Sequence, residues 1–91
     1  MFRRALAMTG KRADAAAGLA RCYLARKRFK VAVNWARNAT EWDARKSEYH
    51  VLLGDALNAS GSRDAARASW HKALKLNPQD GNAKLRIDRG A

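Results

Sequence analysis

The residues best suited to chemistry in this 91-residue sequence are two histidines, a single cysteine and several serines. His50 and His71 are well separated, and neither has a carboxylate or cysteine at metal-ligand spacing. No glycine-rich phosphate loop is present, and no serine or cysteine stands beside a convincing general base. The sequence therefore predicts no metal site, no cofactor and no enzymatic activity.

A dense run of cations is the next candidate for a function. We name it the basic patch, and its members are Arg26, Lys27, Arg28 and Lys30. Clustered positive charge can contact phosphate or an acidic protein. A solvated turn explains the same residues more simply, so both interpretations stay open.

The formal net charge of +11 is unevenly distributed along the chain. Residues 1–46 carry 12 basic and 3 acidic side chains, whereas residues 47–91 carry 7 basic and 5 acidic ones. Such a field favours acidic partners, which include acidic peptides, nucleic acids and anionic membrane surfaces. The sign of the charge alone does not choose among them.

The lone Cys22 has no partner for an internal disulfide, so a cytoplasmic location is the default expectation. We expect this thiol to be buried between helices, where small residues pack.

No apolar stretch approaches the roughly 20 residues needed to span a bilayer. Residues 1–30 are rich in arginine and alanine, as in an organellar transit peptide. The repeat described next extends back into this segment, which argues against cleavage.

A shift of 34 residues aligns the sequence with itself, and internal repeats decide the fold when they occur. Apolar and small residues coincide under this shift. The aligned sets are Leu19 with Leu53 and Ile87, Ala20 with Gly54, Tyr23 with Leu57, Ala32 with Ala66, and Ala39 with Ala73. The same offset reaches back to Phe2. Each unit therefore reads as one repeat of two helices.

The first helices of the two units are predicted over about residues 14–25 and 48–59, and the second helices over about 29–42 and 63–76. Ser47 and Ser62 are placed to cap helix starts. Gly61 suits a tight turn that needs positive φ. Pro78 follows the last second helix, because proline cannot continue the hydrogen-bond ladder.

Residues 54–78 resemble the second half of a tetratricopeptide repeat. The features that carry the resemblance are Leu53-Gly54 in the first helix, Gly61 in the turn, Ala66 and Ala73 on the second helix, Trp70 between them, and Pro78 after it. The first unit fits less closely, since Lys27 replaces the turn glycine and Ala44 the terminal proline. Arg63 stands where the family usually has an aromatic residue.

The resemblance implies an all-α fold, a right-handed α-solenoid of helix-turn-helix repeats. We expect a single domain over residues 1–91 with about two full repeats and a partial repeat at each end. The expected divisions are 2–10, the end of a preceding repeat, 13–46 and 47–80, the full repeats, and 81–91, the start of a following or capping helix. Because such repeats are stabilised by their neighbours, we expect the chain to be a section of a longer array.

In this family the first helices line a concave groove, so the resemblance implies where a partner would bind. The predicted groove residues are Arg21, Leu24, Val51, Leu52, Asp55, Asn58, Leu85 and Arg86. This mixture of apolar and basic side chains would suit a peptide with apolar anchors and acidic residues. We therefore expect a protein-interaction module, a scaffold or adaptor.

One branch of the family grips the carboxylate end of heat-shock chaperones through lysine, two asparagines, lysine and arginine. The corresponding positions hold Ala17, Arg21, Leu52, Asn82 and Arg86, and only the last matches. Chaperone-tail binding is therefore disfavoured.

Two alternatives remain beside a protein partner. The basic charge would allow nonspecific, salt-sensitive nucleic-acid binding. However, Ala17, Gly18, Val51 and Leu52 offer no repeated polar code for bases. Uncapped repeat ends would allow self-association into a homo-oligomer. Among the tryptophans, Trp42 and Trp70 are expected to pack in the core, while Trp35 suits packing or an exposed contact equally.

Overall fold

The computed structural model describes the backbone of residues 2–89 and the side chains of residues 12–89. This part of the chain forms five α-helices and no strands. They are α1 (Phe2–Ala25), α2 (Phe29–Trp42), α3 (Ser47–Ala59), α4 (Arg63–Leu76) and α5 (Gly81–Asp88). Helices α1 and α2 form one hairpin, α3 and α4 form the next, and α5 packs on α4. The predicted all-α helix-turn-helix repeat fold is confirmed.

The predicted second helices agree with α2 and α4, but the predicted start of the first helix was wrong. Helix α1 begins at Phe2 rather than near Asp14, and it continues unbroken to Ala25. Nine of the twelve residues from 2 to 13 are alanine, arginine, leucine, methionine or lysine, which favour helix, and there is no proline, so the single Gly10 does not end the helix. Residues 2–10 thus belong to α1 instead of forming a separate preceding helix. The division into repeats stays a prediction.

The two hairpins turn by the same backbone hydrogen bonds, which is the Schellman pattern of helix ends. In the α3–α4 turn, Ser62 N donates to Leu57 O at 2.8 Å, and Gly61 has φ +99°. In the α1–α2 turn, Arg28 N donates to Tyr23 O at 2.9 Å. Lys27 there takes φ +62°. The lysine that replaces the turn glycine therefore leaves the turn geometry unchanged.

The core divides into two clusters of buried residues that are largely alanine. One cluster lies around Ala16, Ala20, Ala36, Ala39 and Tyr49, and the other around Ala32, Ala56, Ala66, Ala73 and Trp70. Alanine lets helix backbones approach closely without loss of helix propensity. Trp35 and Trp42 are partly buried against the first cluster, and Trp70 is 2% exposed. The expected packing roles of Trp42 and Trp70 are confirmed.

Gly54 is required where α3 crosses α4. A Cβ at this position would overlap Trp70 Nε1 and come within 2.5 Å of Trp70 Cδ1 and 3.0 Å of Ala66 O. The indole Nε1–H is satisfied by the Val51 carbonyl and the Asp55 carboxylate, each at 3.3 Å. The absence of a side chain at Gly54 thus makes room for the largest residue of the core.

Helix α5 is held in place by a capping residue that also reaches α3. Asp80 Oδ1 accepts from the backbone N–H groups of Asn82 and Ala83, at 3.1 and 3.2 Å, which caps α5. Asp80 Oδ2 accepts from Ser47 Oγ at 2.9 Å. Ser47 was predicted to cap α3, but Lys46 occupies that position. Ser62 stands at the start of α4 without a side-chain capping bond.

Cys22 is exposed, so the prediction that it is buried was wrong. The corresponding residue of the next hairpin, Ala56, is fully buried because α3 packs on α2 as well as on α4. Helix α1 is the first helix of the described chain, and its main packing contacts are with α2 and α3. The face that carries Cys22 is therefore left open to solvent.

Candidate functional site

Two neighbouring cavities lie along the first helices of the hairpins and α5. The smaller one, named the central cavity, measures about 210 Å³. Its lining residues are Arg21, Glu48, Val51, Leu52, Asp55, Asp80, Asn82 and Arg86. The larger one, named the end cavity, measures about 560 Å³. Its lining residues are Asp55, Asn58, Arg63, Trp70, Leu85, Arg86 and Arg89. Asp55 and Arg86 line both, and we refer to the two cavities together as the groove.

The structure brings seven of the eight predicted groove residues into this groove. The exception is Leu24, which is half-buried and packs against both core clusters. Leu24 lines neither of the two cavities. That these residues bind a partner stays a prediction.

The predicted apolar side chains of the groove differ widely in how accessible they are. Val51 and Leu52 are each only 6% exposed, so they contribute to the core more than to a binding surface. Leu85 on α5 is 54% exposed and is the most exposed apolar side chain among the lining residues. A partner would therefore find its apolar contact at one end of the groove.

Arg86 and Asp55 form an ion pair where the two cavities meet. Arg86 also donates from Nη1 to the Asn82 carbonyl at 2.9 Å, and Asp55 Oδ1 also accepts from Trp70 Nε1 at 3.3 Å. The pair is about one-third exposed on each side. Arg86 was predicted as a groove residue that would bind an acidic ligand, but it already has a carboxylate partner, Asp55, within the chain.

The charges of the two cavities differ in balance. In the central cavity two arginines face three carboxylates, those of Glu48, Asp55 and Asp80. In the end cavity three arginines face Asp55 alone. Within the described residues, Arg63 and Arg89 form no ion pair. Positive potential is thus concentrated in the end cavity, beside the exposed Leu85.

Arg63 and Trp70 line the end cavity, and sequence reasoning assigned neither to the groove. Both come from α4, a second helix, whereas the family pattern places the groove on first helices. Trp70 is correctly predicted as a core residue, yet one edge of its ring forms the cavity wall. For Arg63 a signal existed, because a long cation stands where the family usually has an aromatic residue.

A polar cluster beside the groove fixes α1 against α3. The Tyr49 hydroxyl donates to Asp14, and Lys46 Nζ lies 3.5 Å from the same carboxylate. Lys46 also lies 5.2 Å above the Tyr49 ring, within range of a cation–π contact. The hydrogen bond from Tyr49, with the charge of Lys46, lowers the pKa of Asp14. Burial, with the hydrogen bond to Asp14, raises the pKa of Tyr49.

The basic patch lies apart from the groove. Arg26, Lys27 and Arg28 are exposed at the α1–α2 turn, and Lys30 is exposed on the first turn of α2. None of the four residues lines either groove cavity. The patch and the groove are therefore separate candidates for binding.

The two histidines lie in different environments, one buried and one exposed. His50 is 4% exposed, and its Nε2 lies 3.0 Å from the Ala44 carbonyl. His71 is exposed on α4. Across the described residues, histidine, cysteine and carboxylate side chains do not gather into any group of three or more that could hold a metal ion. In residues 2–89, no helix combines the length and apolar character needed to cross a bilayer.

Comparison with known proteins gives one family match. A family model described as "Tetratricopeptide repeat" matches residues 1–56. A search of curated proteins found no matching relative. The matched range covers α1, α2 and most of α3, and it includes the first unit, whose sequence fits the repeat pattern less closely than the second.

Proposed function

Because this chain belongs to the tetratricopeptide repeat family, whose repeats generally mediate protein–protein interactions, we propose that it binds a partner protein through its groove. The family is typically a non-enzymatic scaffold. The proposed role is therefore that of an adaptor that holds a peptide or a protein surface, with no reaction of its own.

The observation that carries this proposal is the convergence of residues from four helices on two adjoining cavities that share Asp55 and Arg86. Arg21 comes from α1, Asp55 and Asn58 from α3, Arg63 from α4, and Leu85 from α5, although they are far apart in sequence. Grooves that receive a peptide combine apolar pockets with a few placed polar groups. The end cavity offers this combination.

The preferred ligand is a segment in which an apolar side chain lies next to acidic residues. The apolar side chain would cover Leu85, and the carboxylates would meet Arg63 and Arg89. Arginine binds carboxylates through paired hydrogen bonds, which adds geometric specificity to the charge. Arg86 contributes less to recognition in this proposal, because a ligand would compete with Asp55 for it.

A peptide selection tests the ligand chemistry first. A library of random peptides displayed on phage is selected against the immobilised chain. We expect enrichment of acidic residues next to leucine, phenylalanine or methionine. Enrichment of basic peptides, or of no sequence class at all, would contradict the proposal.

A charge exchange then tests the groove with the enriched peptide. The variant Arg63→Glu/Arg89→Glu reverses both unpaired cations, and fluorescence anisotropy should show affinity reduced at least about tenfold, as expected when charge-assisted hydrogen bonds are lost. The matched control is Arg26→Glu/Arg28→Glu, which makes the same charge change at the α1–α2 turn. An equal loss in both folded variants would show that only net charge matters.

A further inference from the structure

A third cavity lies between α2 and the α3–α4 turn, on residues that the groove does not use. It measures about 420 Å³. Its lining residues are Lys30, Val33, Asn34, Arg37, Leu57, Ser60 and Ser62, and we name it the α2 cavity. It contains one member of the basic patch, Lys30, and none of the residues of the two groove cavities.

The cations of the α2 cavity share one face of α2. Lys30, Asn34 and Arg37 are four and three residues apart, a spacing that places them one above the other along the helix. No carboxylate lines the cavity. Within the described residues, neither Lys30 nor Arg37 forms an ion pair, in contrast to Arg86 and Lys46. Two cations are thus held around one cavity without an internal counter-charge.

The opposite wall supplies a hydroxyl. Ser62 stands at the first position before α4 but makes no capping hydrogen bond to it, so its hydroxyl can turn toward a ligand. Ser60 Oγ, by contrast, donates to the Leu57 carbonyl at 2.8 Å and has no proton left to offer. The nearly buried Val33 and Leu57 close the floor. The available donors are therefore an ammonium, a guanidinium, an amide and one hydroxyl.

We propose that the α2 cavity binds a phosphate group carried by a partner protein. A phosphoserine or phosphothreonine carries about −1.5 to −2 charges at neutral pH and offers three strong acceptor oxygens. Arg37 can pair with two of these oxygens, while Lys30, Asn34 and Ser62 can donate to the third. The site is independent of the groove, so either proposal can fail without the other.

The lining favours a single phosphate group over a nucleic acid. Single-stranded nucleic acids bind where bases stack on aromatic side chains, and no aromatic residue lines this cavity. Binding to a duplex gains its affinity from many phosphate contacts along a surface, whereas the lining of this shallow, open cavity supplies two cations.

Binding of labelled peptides to the unmodified chain tests this proposal. One degenerate peptide has phosphoserine at its centre and its twin has serine, and fluorescence anisotropy is measured at low salt. We expect the phosphorylated peptide to bind at least about tenfold more tightly, the gain expected from a charge-assisted hydrogen-bond set. Equal affinity of the two peptides would overturn the proposal.

Two matched variants locate the binding. Lys30→Gln/Arg37→Gln removes both cations of the cavity, and Arg26→Gln/Arg28→Gln removes two cations of the basic patch that do not line it. All four side chains are exposed, so both variants should fold, which circular dichroism checks. We expect the phosphate-dependent gain to disappear in the first variant and persist in the second. Equal loss in both would overturn the assignment to the cavity.

Two further measurements need no substitution. Inorganic phosphate titrated into the ¹⁵N-labelled chain should shift the amide signals of Asn34, Arg37 and Ser62 more than that of Asn82 in the groove. Equal shifts at all four amides, or no shifts at all, would contradict phosphate binding in the α2 cavity. A random single-stranded oligonucleotide forms the last comparison. If it binds more tightly than the phosphopeptide and depends equally on Lys30 and Arg37, the cavity is a nucleic-acid contact instead.

Discussion

In the α3–α4 hairpin Gly54 faces Trp70, whereas in the α1–α2 hairpin the corresponding positions hold Ala20 and Ala36. Both arrangements exclude solvent, since Ala20 and Ala36 are fully buried and Trp70 is 2% exposed. In one hairpin, two small residues share the space between the helices. In the other, the first helix has a glycine, Gly54, and the absence of a side chain there leaves space for the large Trp70 of the second helix.

This difference has a consequence for the groove. The Trp70 ring reaches through the space above Gly54, bonds to Asp55, and forms part of the end-cavity wall. Ala36 cannot reach the groove from α2. In the second hairpin Trp70 therefore belongs both to the core and to the wall of the end cavity, whereas Ala36 in the first hairpin belongs to the core and lines neither cavity.

Replacing Trp70 by alanine should have the largest effect on this comparison. Trp70→Ala makes the second hairpin resemble the first, but leaves a cavity beside Gly54. We expect the free energy of unfolding to fall by about 4 kcal/mol, which is typical of deleting a buried aromatic ring. Urea denaturation measures this loss. If it is below about 1 kcal/mol, Trp70 is not the centre of the second cluster.

Adding a methyl group at Gly54 should have the next largest effect. The new Cβ overlaps Trp70, so Gly54→Ala should lower the free energy of unfolding by about 2 kcal/mol through overpacking. The control is Gly18→Ala, also in a helix, where a Cβ meets nothing within 4 Å. That variant should be neutral or more stable by up to about 1 kcal/mol. Equal effects at both positions would refute the proposed fit between Gly54 and Trp70.

The double variant Gly54→Ala/Trp70→Ala tests directly whether these two positions interact. Because the methyl group then fills part of the vacated space, the double variant should lose less stability than the sum of the two single variants. Additive losses would show that the two positions do not interact.

The two turns offer a smaller exchange. Lys27 has φ +62° and Gly61 has φ +99°, a region that costs a side-chain-bearing residue about 1 kcal/mol or more. Lys27→Gly should therefore raise the free energy of unfolding by up to about 1 kcal/mol, and Gly61→Lys should lower it by about 1–2 kcal/mol. Thermal denaturation of both variants would measure this. Changes of the same sign would contradict the equivalence of the turns.

The smallest effect concerns pH and the contact between α1 and α3. The pKa of Asp14 is lowered in the folded chain, chiefly by the Tyr49 hydrogen bond and then by Lys46. A lowered pKa contributes stability above the unfolded value, and this contribution is lost as pH falls through the folded value. Asp14→Asn and Tyr49→Phe should therefore both lose less stability on acidification below about pH 4 than the unmodified chain. If both variants lose as much stability on acidification as the unmodified chain, the contact between Asp14 and Tyr49 does not stabilise the fold in this way.

Most of the helical framework could be predicted from the sequence, because it depends on local patterns. The 34-residue spacing of small and apolar residues located α2 and α4, and Gly61 and Pro78 marked the helix ends. The start of α1 could not be found this way. The repeat pattern suggested a boundary before Asp14, but local helix propensity continues across it.

The details of the groove depend on contacts between distant residues, which periodicity does not encode. The pairing of Arg86 with Asp55 joins α5 to α3, and the hydrogen bond from Tyr49 to Asp14 joins α3 to α1. Cys22 shows the same limit, since it is exposed on a face of α1 that no helix within residues 2–89 covers. A family pattern assigns a face to each position, and the neighbours that are present decide whether that face is covered.

The most direct test of the proposed groove is to map where a selected peptide binds. The peptide enriched against the chain is titrated into ¹⁵N-labelled protein, and amide shifts are followed residue by residue. We predict that the largest shifts occur at Asn58, Arg63, Leu85 and Arg89, and that the amide signals of Lys30 and Arg37 change little. Shifts concentrated on the α2 cavity or the α1–α2 turn, with the end cavity unaffected, would contradict it.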